Sequence, residues 1–304
     1  MTLNIRSLIF FVFTLFAVTS FAHKKPTSGK EISMKVVYNF AVKGHISLLS
    51  VKLIVPDNIK DRQTISKLTF SVKPDSIYKK NGNSYASFSF SEPASDVKIT
   101  MKCHVVIFKR VAFSNGDTQA ELSNFLVAEK DIESESPRIM AVAETLKQNT
   151  DIETVMKTYE YVKGHVRYKL KDAIGAEKVL ETGVGKCMDY SDLLVALLRA
   201  NKIPAKSIFG MVTDAGGNNP LHAWSEVYLK RQGWIRMDAT SDQTEITQNG
   251  KDYVMRIDNK YITLSEGRND PELKVSIARC YWKGEPGNGV TIKSSIDITD
   301  DEFW

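Results

Sequence analysis

Apolar and polar residues alternate along much of the first third of the chain. Ile32, Met34, Val36, Tyr38 and Phe40 keep strict period two, as do Leu49, Val51, Leu53 and Val55. Val97, Ile99, Met101, Cys103, Val105 and Ile107 form the longest such series. Alternation of this kind buries one face of a strand and wets the other. Turn signals separate the runs at Pro56-Asp57-Asn58, Lys73-Pro74-Asp75, Asn81-Gly82-Asn83 and Asn115-Gly116-Asp117. Strands at this spacing, with no helical pattern between them, predict a two-sheet sandwich. No catalytic constellation falls in this half.

The period changes after the acidic stretch from Glu129 to Ser136, which ends at Pro137 and reads as a linker. Two helices are expected next. In the clearer one, Ile152, Val155, Met156, Tyr159 and Val162 recur at helical spacing, with Asp151 as its cap and Gly164 as its stop. His165 to Tyr168 reads as a short exit strand or turn. A strongly apolar helix is predicted from Cys187 to Ala200, with Tyr190, Leu193, Leu194, Leu197 and Leu198 on one side. Strands are expected at about 205–212, 222–229 and 234–239, and shorter ones near 253–257, 275–282 and 290–298. Helices followed by an antiparallel sheet make this half α+β. The expected division is therefore a leader over 1–22, a β-sandwich over 23–130 and an α+β domain over 131–304.

The 304 residues are 42% hydrophobic and 25% charged, enough for two cores. Arg6, the apolar run Leu8 to Val18 and the small-x-small site Ser20-Phe21-Ala22 read as a signal peptide, so the mature chain would begin near His23 and be exported. The run is short of the roughly twenty residues a membrane span needs. An uncleaved N-terminal anchor is the alternative; after cleavage no stable membrane span is expected. Loss of Arg6 takes the formal charge from +5 to +4, and no run of five basic residues occurs, so nucleic acid is not an implied partner. Of three cysteines, Cys103 sits on the apolar side of its strand and is expected as a buried free thiol, a Cys103–Cys280 bridge being the alternative. Cys187 is left free to react.

Cys187 stands where the loop Gly183-Val184-Gly185-Lys186 turns into the apolar helix, and Asp189 and Tyr190 keep the first turn polar. A helix start and a neighbouring imidazolium both stabilise a thiolate, the reactive form of the thiol. His222 sits in His222-Ala223-Trp224-Ser225-Glu226-Val227 and Asp238 in Gly233-Trp234-Ile235-Arg236-Met237-Asp238. A carboxylate behind a histidine fixes its tautomer and orientation. Each residue also has a plain reading: a buried structural cysteine, a satisfied strand histidine, a strand-end aspartate. Geometry offers a check. A two-residue turn at Arg231-Gln232 sets residue 238 opposite 225, and the histidine and aspartate are then offset by roughly 10 Å. The triad therefore requires a longer asymmetric loop between Lys230 and Gly233, or a bulge.

Taken together, these segments resemble the transglutaminase-like superfamily of papain-type cysteine enzymes. The likeness runs from Tyr159-Glu160-Tyr161-Val162-Lys163 through Gly185-Lys186-Cys187-Met188-Asp189-Tyr190, the Leu193 to Ala200 helix and Lys202-Ile203-Pro204-Ala205. It continues to His222 through Tyr228, Gly233-Trp234 and Asp238-Ala239-Thr240, and covers roughly 137–282. The resemblance implies Cys187 as nucleophile, His222 as base and acid, and Asp238 as orienter. Ala239 departs from the proline common after the aspartate. The second oxyanion donor is open, with the Cys187 amide and the Tyr168 side chain as candidates.

These residues imply acyl transfer through a thioester on a protein or peptide substrate, with water (amidase or peptidase) favoured slightly over an amine (crosslinking transferase) as acceptor. A non-catalytic binding module in the same cleft is the alternative, since fold does not fix function. No cofactor and no metal are implied, as no calcium-loop spacing occurs. The loop Thr213 to Pro220, with Gly216 and Gly217, is a mobile rim or a plain connector. Substrate identity and oligomeric state are open at this point.

Overall fold

The computed structural model describes residues 29–301 apart from 109–117, 171–174, 215–219, 242, 245, 250–251, 256–258 and 274–275. The expected leader, the turn at 115–117 and Gly216-Gly217 lie outside the described residues. Six strands come first: β1 (Gly29–Lys43), β2 (Ile46–Val55), β3 (Gln63–Phe70), β4 (Ser76–Lys80), β5 (Asn83–Ser91) and β6 (Val97–Phe108). Then follow α1 (Gln119–Ser123), α2 (Pro137–Leu146), α3 (Asp151–His165), β7 (Arg167–Tyr168), α4 (Ala176–Thr182), β8 (Val184–Gly185) and α5 (Cys187–Ala200). The remaining strands are β9 (Ala205–Val212), β10 (Leu221–Leu229), β11 (Gly233–Asp238), β12 (Gln243–Thr244), β13 (Ile246–Asn249), β14 (Asp252–Met255), β15 (Tyr261–Glu266), β16 (Ala278–Gly284) and β17 (Gly289–Thr299).

Two antiparallel four-stranded sheets, ordered β17-β1-β6-β3 and β16-β2-β5-β4, form the sandwich. The period-two residues of β1, β2 and β6 supply its core: Met34, Val36, Tyr38, Phe40, Leu49, Leu53, Ile99 and Val105 are fully buried. Cys103 lies among them, and burial pushes its thiol up to about 12. All three cysteines are free, so the Cys103–Cys280 bridge is absent.

The division at residue 130 needs revision at the far end of the chain. β16 pairs with β2, Cys280 opposite Val51, and β17 runs along β1 from Ser33↔Thr299 to Lys43↔Gly289. The last two strands thus complete the sandwich and are not part of the α+β domain. Their alternation reveals a strand but not its partner, which stands some 230 residues away in sequence.

In the α+β part, α5 packs on β9 and β10 on one side and on α2, α3 and α4 on the other. The sheet is ordered β12-β11-β10-β9-β15. Thr150, not Asp151, caps α3: its hydroxyl accepts from the Glu153 amide while Glu153 reaches back to the Thr150 amide, a full capping box. Gly164 lies inside that helix, which runs on to His165. The acidic linker is tied down by Arg199, whose Nη1 donates to the Val127 carbonyl (2.7 Å) and to Glu129 (2.7 Å). No helix among the described residues is long and apolar enough to cross a membrane.

Two side-chain amides join the halves. Gln63 donates to the Thr263 carbonyl (2.9 Å) and accepts from the Thr263 N–H (2.8 Å). Asn83 does the same to Glu266, at 3.0 and 2.8 Å. Both act on β15, the edge strand of the α+β sheet, so each mimics one rung of a missing neighbour strand. Gln63→Ala leaves a buried N–H and C=O of Thr263 unpaired and is expected to destabilise the protein by about 2–4 kcal/mol. The midpoint of a urea denaturation curve measures this.

Candidate active site

Helix α5 starts from a close approach. Gly183 ends α4 in the left-handed region (φ 60°), β8 follows, and Lys186 enters α5 extended. Asp189 turns back to accept the Lys186 N–H at 2.9 Å, satisfying an amide the first turn leaves open. The loop lies so near this carboxylate that a Cβ on Gly185 would stand 2.4 Å from Asp189 Cβ. Every residue from Met188 to Arg199 is buried, so α5 is enclosed on all sides and not apolar on one face. Its polar members have partners: Ser191 bonds Ser207, Ser225 and the Trp224 carbonyl, and Asp192 takes Arg268 Nε on both oxygens (3.0 and 2.9 Å). Asp189 and Tyr190 make the first turn polar, as the sequence suggests, but both are buried. Cys187 itself stays half-buried at the helix start.

The β10–β11 hairpin has the irregularity that the triad requires. Three residues, Lys230 to Gln232, close it, with the Gln232 N–H on the Leu229 carbonyl (3.0 Å) and Gly233 at φ 67°. The ladder then reads Leu229↔Gly233 through Ser225↔Met237, so its next step sets Asp238 opposite Trp224 instead of Ser225. One residue of register moves a side chain to the other face of a sheet, and here it brings Asp238 to the face of His222. The offset falls to two residues, about 7 Å, a diagonal that a ring can span. His222 Nε2 meets Asp238 Oδ2 at 2.6 Å.

Around that pair the carboxylate is fully used. Tyr261 donates its hydroxyl to Oδ2 (2.9 Å), and the Thr240 and Ser241 amides reach Oδ1 at 3.2 and 3.3 Å. Those two amides hold the turn after Asp238 at Ala239. Tyr159 bonds the Asp238 carbonyl (3.4 Å). Trp224 packs edge-on to Tyr261, and the Arg236 guanidinium lies 4.3 Å over the Tyr261 ring. Gly210, opposite His222 on β9, leaves room for Trp224, since a Cβ there would meet the indole at 2.5 Å. Sequence inspection missed Tyr261, Tyr159 and Gly210; only Gly210, a lone glycine inside a strand, carries a local signal.

Burial opposes charge on His222 most strongly, but hydrogen bonds to Asp238 and Cys187 and the charges of both outweigh it, raising the imidazole to about 9. Burial likewise works against the Asp238 anion, yet His222, Tyr261 and the Ser241 amide hold its carboxyl below the usual range. With Nε2 given to Asp238, Nδ1 is the nitrogen left for the Cys187 side chain. The three residues named from sequence therefore meet at one point.

Tyr168 flanks the same point. β7 runs parallel to β8, Tyr168 beside Gly185, and the Tyr190 hydroxyl ties the Val166 carbonyl to α5. Desolvation and the nearby Cys187 charge raise the phenol above its ordinary value, while the side chain stays 49% exposed. Among the described residues, no three His, Cys, Asp or Glu side chains form a metal-ligating group.

Residues 140–239 match the transglutaminase-like superfamily, the span that holds Cys187, His222 and Asp238. This stretch is a transglutaminase-like core. A crystal structure of a candidate cysteine protease from Cytophaga hutchinsonii superposes with a TM-score of 0.67, at 16% identity over 91% of this chain and 93% of that one. The periplasmic domain of TgpA from Pseudomonas aeruginosa is a more distant neighbour (TM-score 0.41, 15% identity, 68% and 88% covered). In sequence, the chain is 30% identical over 136 residues to the uncharacterized protein Rv2569c of Mycobacterium tuberculosis, and 34% over 83 residues to the uncharacterized YebA of Bacillus subtilis. These matches cover 41% and 23% of this chain, and the chain spans only 38% and 11% of those relatives.

The His222–Asp238 pair predicts a pH dependence of both titration and stability. The His222 pKa is raised on folding, so its stabilising contribution is complete below about 6.5, the unfolded value, and is lost as pH rises through about 9. Asp238, depressed on folding, contributes above its unfolded value and loses that contribution as pH falls through the lower folded one. NMR titration of the His222 ring protons is expected to show a midpoint near 9, and Asp238→Asn to move it downward by more than one unit. A midpoint near 6.5 in the unsubstituted protein would refute the coupling.

Proposed function

We propose that this chain is an exported, cysteine-dependent acyl-transfer enzyme acting on peptide or glutamine-type amides, with water preferred over an amine as acceptor. One observation carries the reading: His222 is held by Asp238 on Nε2 and hydrogen-bonds the side chain of Cys187 at a helix start. The transglutaminase-like core supports it, and the similar Cytophaga hutchinsonii structure bears a protease's description. Export rests on the N-terminal pattern of Arg6, Leu8 to Val18 and Ala22.

The sulfur of the Cys187 thiolate attacks the amide carbonyl carbon, and the oxygen becomes an oxyanion. The Cys187 amide and the Tyr168 hydroxyl are the donors for that charge. Imidazolium at His222 gives its proton to the nitrogen as the C–N bond breaks, leaving a thioester. Neutral His222 then takes a proton from water, hydroxide adds to the thioester, and the acid leaves as the thiolate and imidazolium are restored. An amine in place of water gives transfer by the same steps. Asp238 keeps the ring in the one orientation that serves both halves.

Turnover of a fluorogenic glutamine-containing peptide tests this. Cys187→Ala is expected to abolish activity, and Asp238→Ala to lower kcat by about 10² or more. Tyr168→Phe is expected to cost about 10²–10³ in kcat with little change in KM. Full activity of Cys187→Ala would sink the thioester route. Offering a labelled amine beside the peptide separates the acceptors: ammonia or amine release without label incorporation means hydrolysis.

A further inference from the structure

Strand β15 serves the two halves of the molecule from its two faces. Ile262 and Leu264 are buried in the same cluster as Leu53, Phe88 and Ile277 of the sandwich. Tyr261, on the alternate face, packs with Ile208 and Trp224 and donates its hydroxyl to Asp238 Oδ2 (2.9 Å). Its ring is fully enclosed, with Trp224 edge-on at 5.0 Å and the Arg236 guanidinium 4.3 Å from its centroid. His222 Nε2 meets the same oxygen at 2.6 Å, while the Thr240 and Ser241 amides take Oδ1. A carboxylate has about four acceptor sites, so the Tyr261 hydroxyl fills the last one and fixes which oxygen faces the imidazole. The other titratable or charged groups around this couple are Cys187 on α5, Tyr159 on α3, Arg236 on β11, and Lys260 beside Tyr261, itself paired with Asp214.

The ladder between β15 and β9 does not fix this strand by itself. It shifts by one residue between Thr263↔Gly210 and Ser265↔Phe209, and such a bulge disrupts pairing locally. The grips from the sandwich stand on either side of the shift, Gln63 on Thr263 before it and Asn83 on Glu266 after it. A slip of one residue would exchange the two faces and turn Tyr261 away from Asp238. We propose that Tyr261 is a positioning residue for the reaction at Cys187, and that the sandwich, through Gln63, sets the register that delivers it. The hydroxyl keeps Oδ2 on the imidazole, and the carboxylate keeps the His222 ring in its working orientation. This deepens the acyl-transfer reading, and its effect on turnover rests on that reading.

Tyr261→Phe removes the hydroxyl and leaves the ring between Trp224 and Arg236. Turnover of the glutamine-containing peptide is expected to lose about tenfold in kcat, with KM changed by less than about twofold. The carboxyl carbon of Asp238, followed by NMR, is expected to titrate about one unit higher, because a donor to the charged form has gone. A ring that only fills space would move neither. Gln63→Ala is assayed at a temperature where circular dichroism shows it folded; if it does not fold, Gln63→Glu, which keeps an acceptor for the Thr263 N–H, takes its place. Either is expected to lower kcat about threefold, and to add nothing to the loss in Tyr261→Phe when the two are combined, since both act through one hydroxyl. Losses that multiply overturn the part given to Gln63. An unmoved Asp238 titration, or a kcat for Tyr261→Phe within about twofold of the unsubstituted chain, overturns the part given to Tyr261. No turnover by the unsubstituted chain, beside the shifted titration, defeats the acyl-transfer reading and leaves the tie from Tyr261 to Asp238 standing. Turnover that Tyr261→Phe keeps in full does the reverse.

Discussion

A three-residue loop between β10 and β11 decides which face of the sheet carries Asp238, and the chemistry of the core follows from that choice. With Gly233 in the left-handed region the strands align Leu229 with Gly233, and the carboxylate arrives one diagonal step from His222. A loop shorter by one residue sends the same aspartate to the side of Ser225, where no ring waits for it. The loop is exposed and polar, yet its length has more leverage on the site than any nearby core residue. The strained φ at that position is tolerable only because glycine fills it.

The pair so formed shows how burial and partnership compete. His222 and Asp238 are both withdrawn from water, which disfavours each charge alone. Their mutual contact, with Tyr261 and two backbone amides on the aspartate, reverses that balance and holds an imidazolium–carboxylate couple. Tyr261 belongs to β15, which Gln63 and Asn83 grip from the sandwich. The sandwich, through Gln63 and Asn83, therefore sets the position of the residue that steadies the Asp238 carboxylate.

Sequence inspection reached the parts of this arrangement that local pattern encodes. The alternating strands, the extent of α5 and the meeting of Cys187, His222 and Asp238 could be read because each rests on spacing or on a motif. The need for an asymmetric hairpin was also legible, from parity alone. What escaped depends on contacts across long separations. β3 carries a register shift between Ser66 and Thr69 and a left-handed Lys67, which blur its alternation. Asp189 and Asp192 look like surface charges until Lys186 and Arg268 are brought to them. Gln63 and Asn83 are ordinary polar residues of a strand start, and nothing near them in sequence names Thr263 or Glu266. The strands at 278–284 and 289–299 were visible as strands and invisible as members of the first domain.

That last feature fixes an order of assembly. β1 and β2, among the first segments synthesised, each wait for a neighbour that is among the last, so their outer edges stay bare while more than two hundred residues emerge. The α+β core, which holds Cys187, His222 and Asp238, can close on itself earlier through more local contacts, whereas the sandwich depends on the most distant pairings in the chain. A chain cut short after residue 270 would hold Cys187, His222 and Asp238 and still present two unsatisfied strand edges. Such edges bind other strands, so truncation from the C-terminus converts a finished site into an aggregation-prone scaffold.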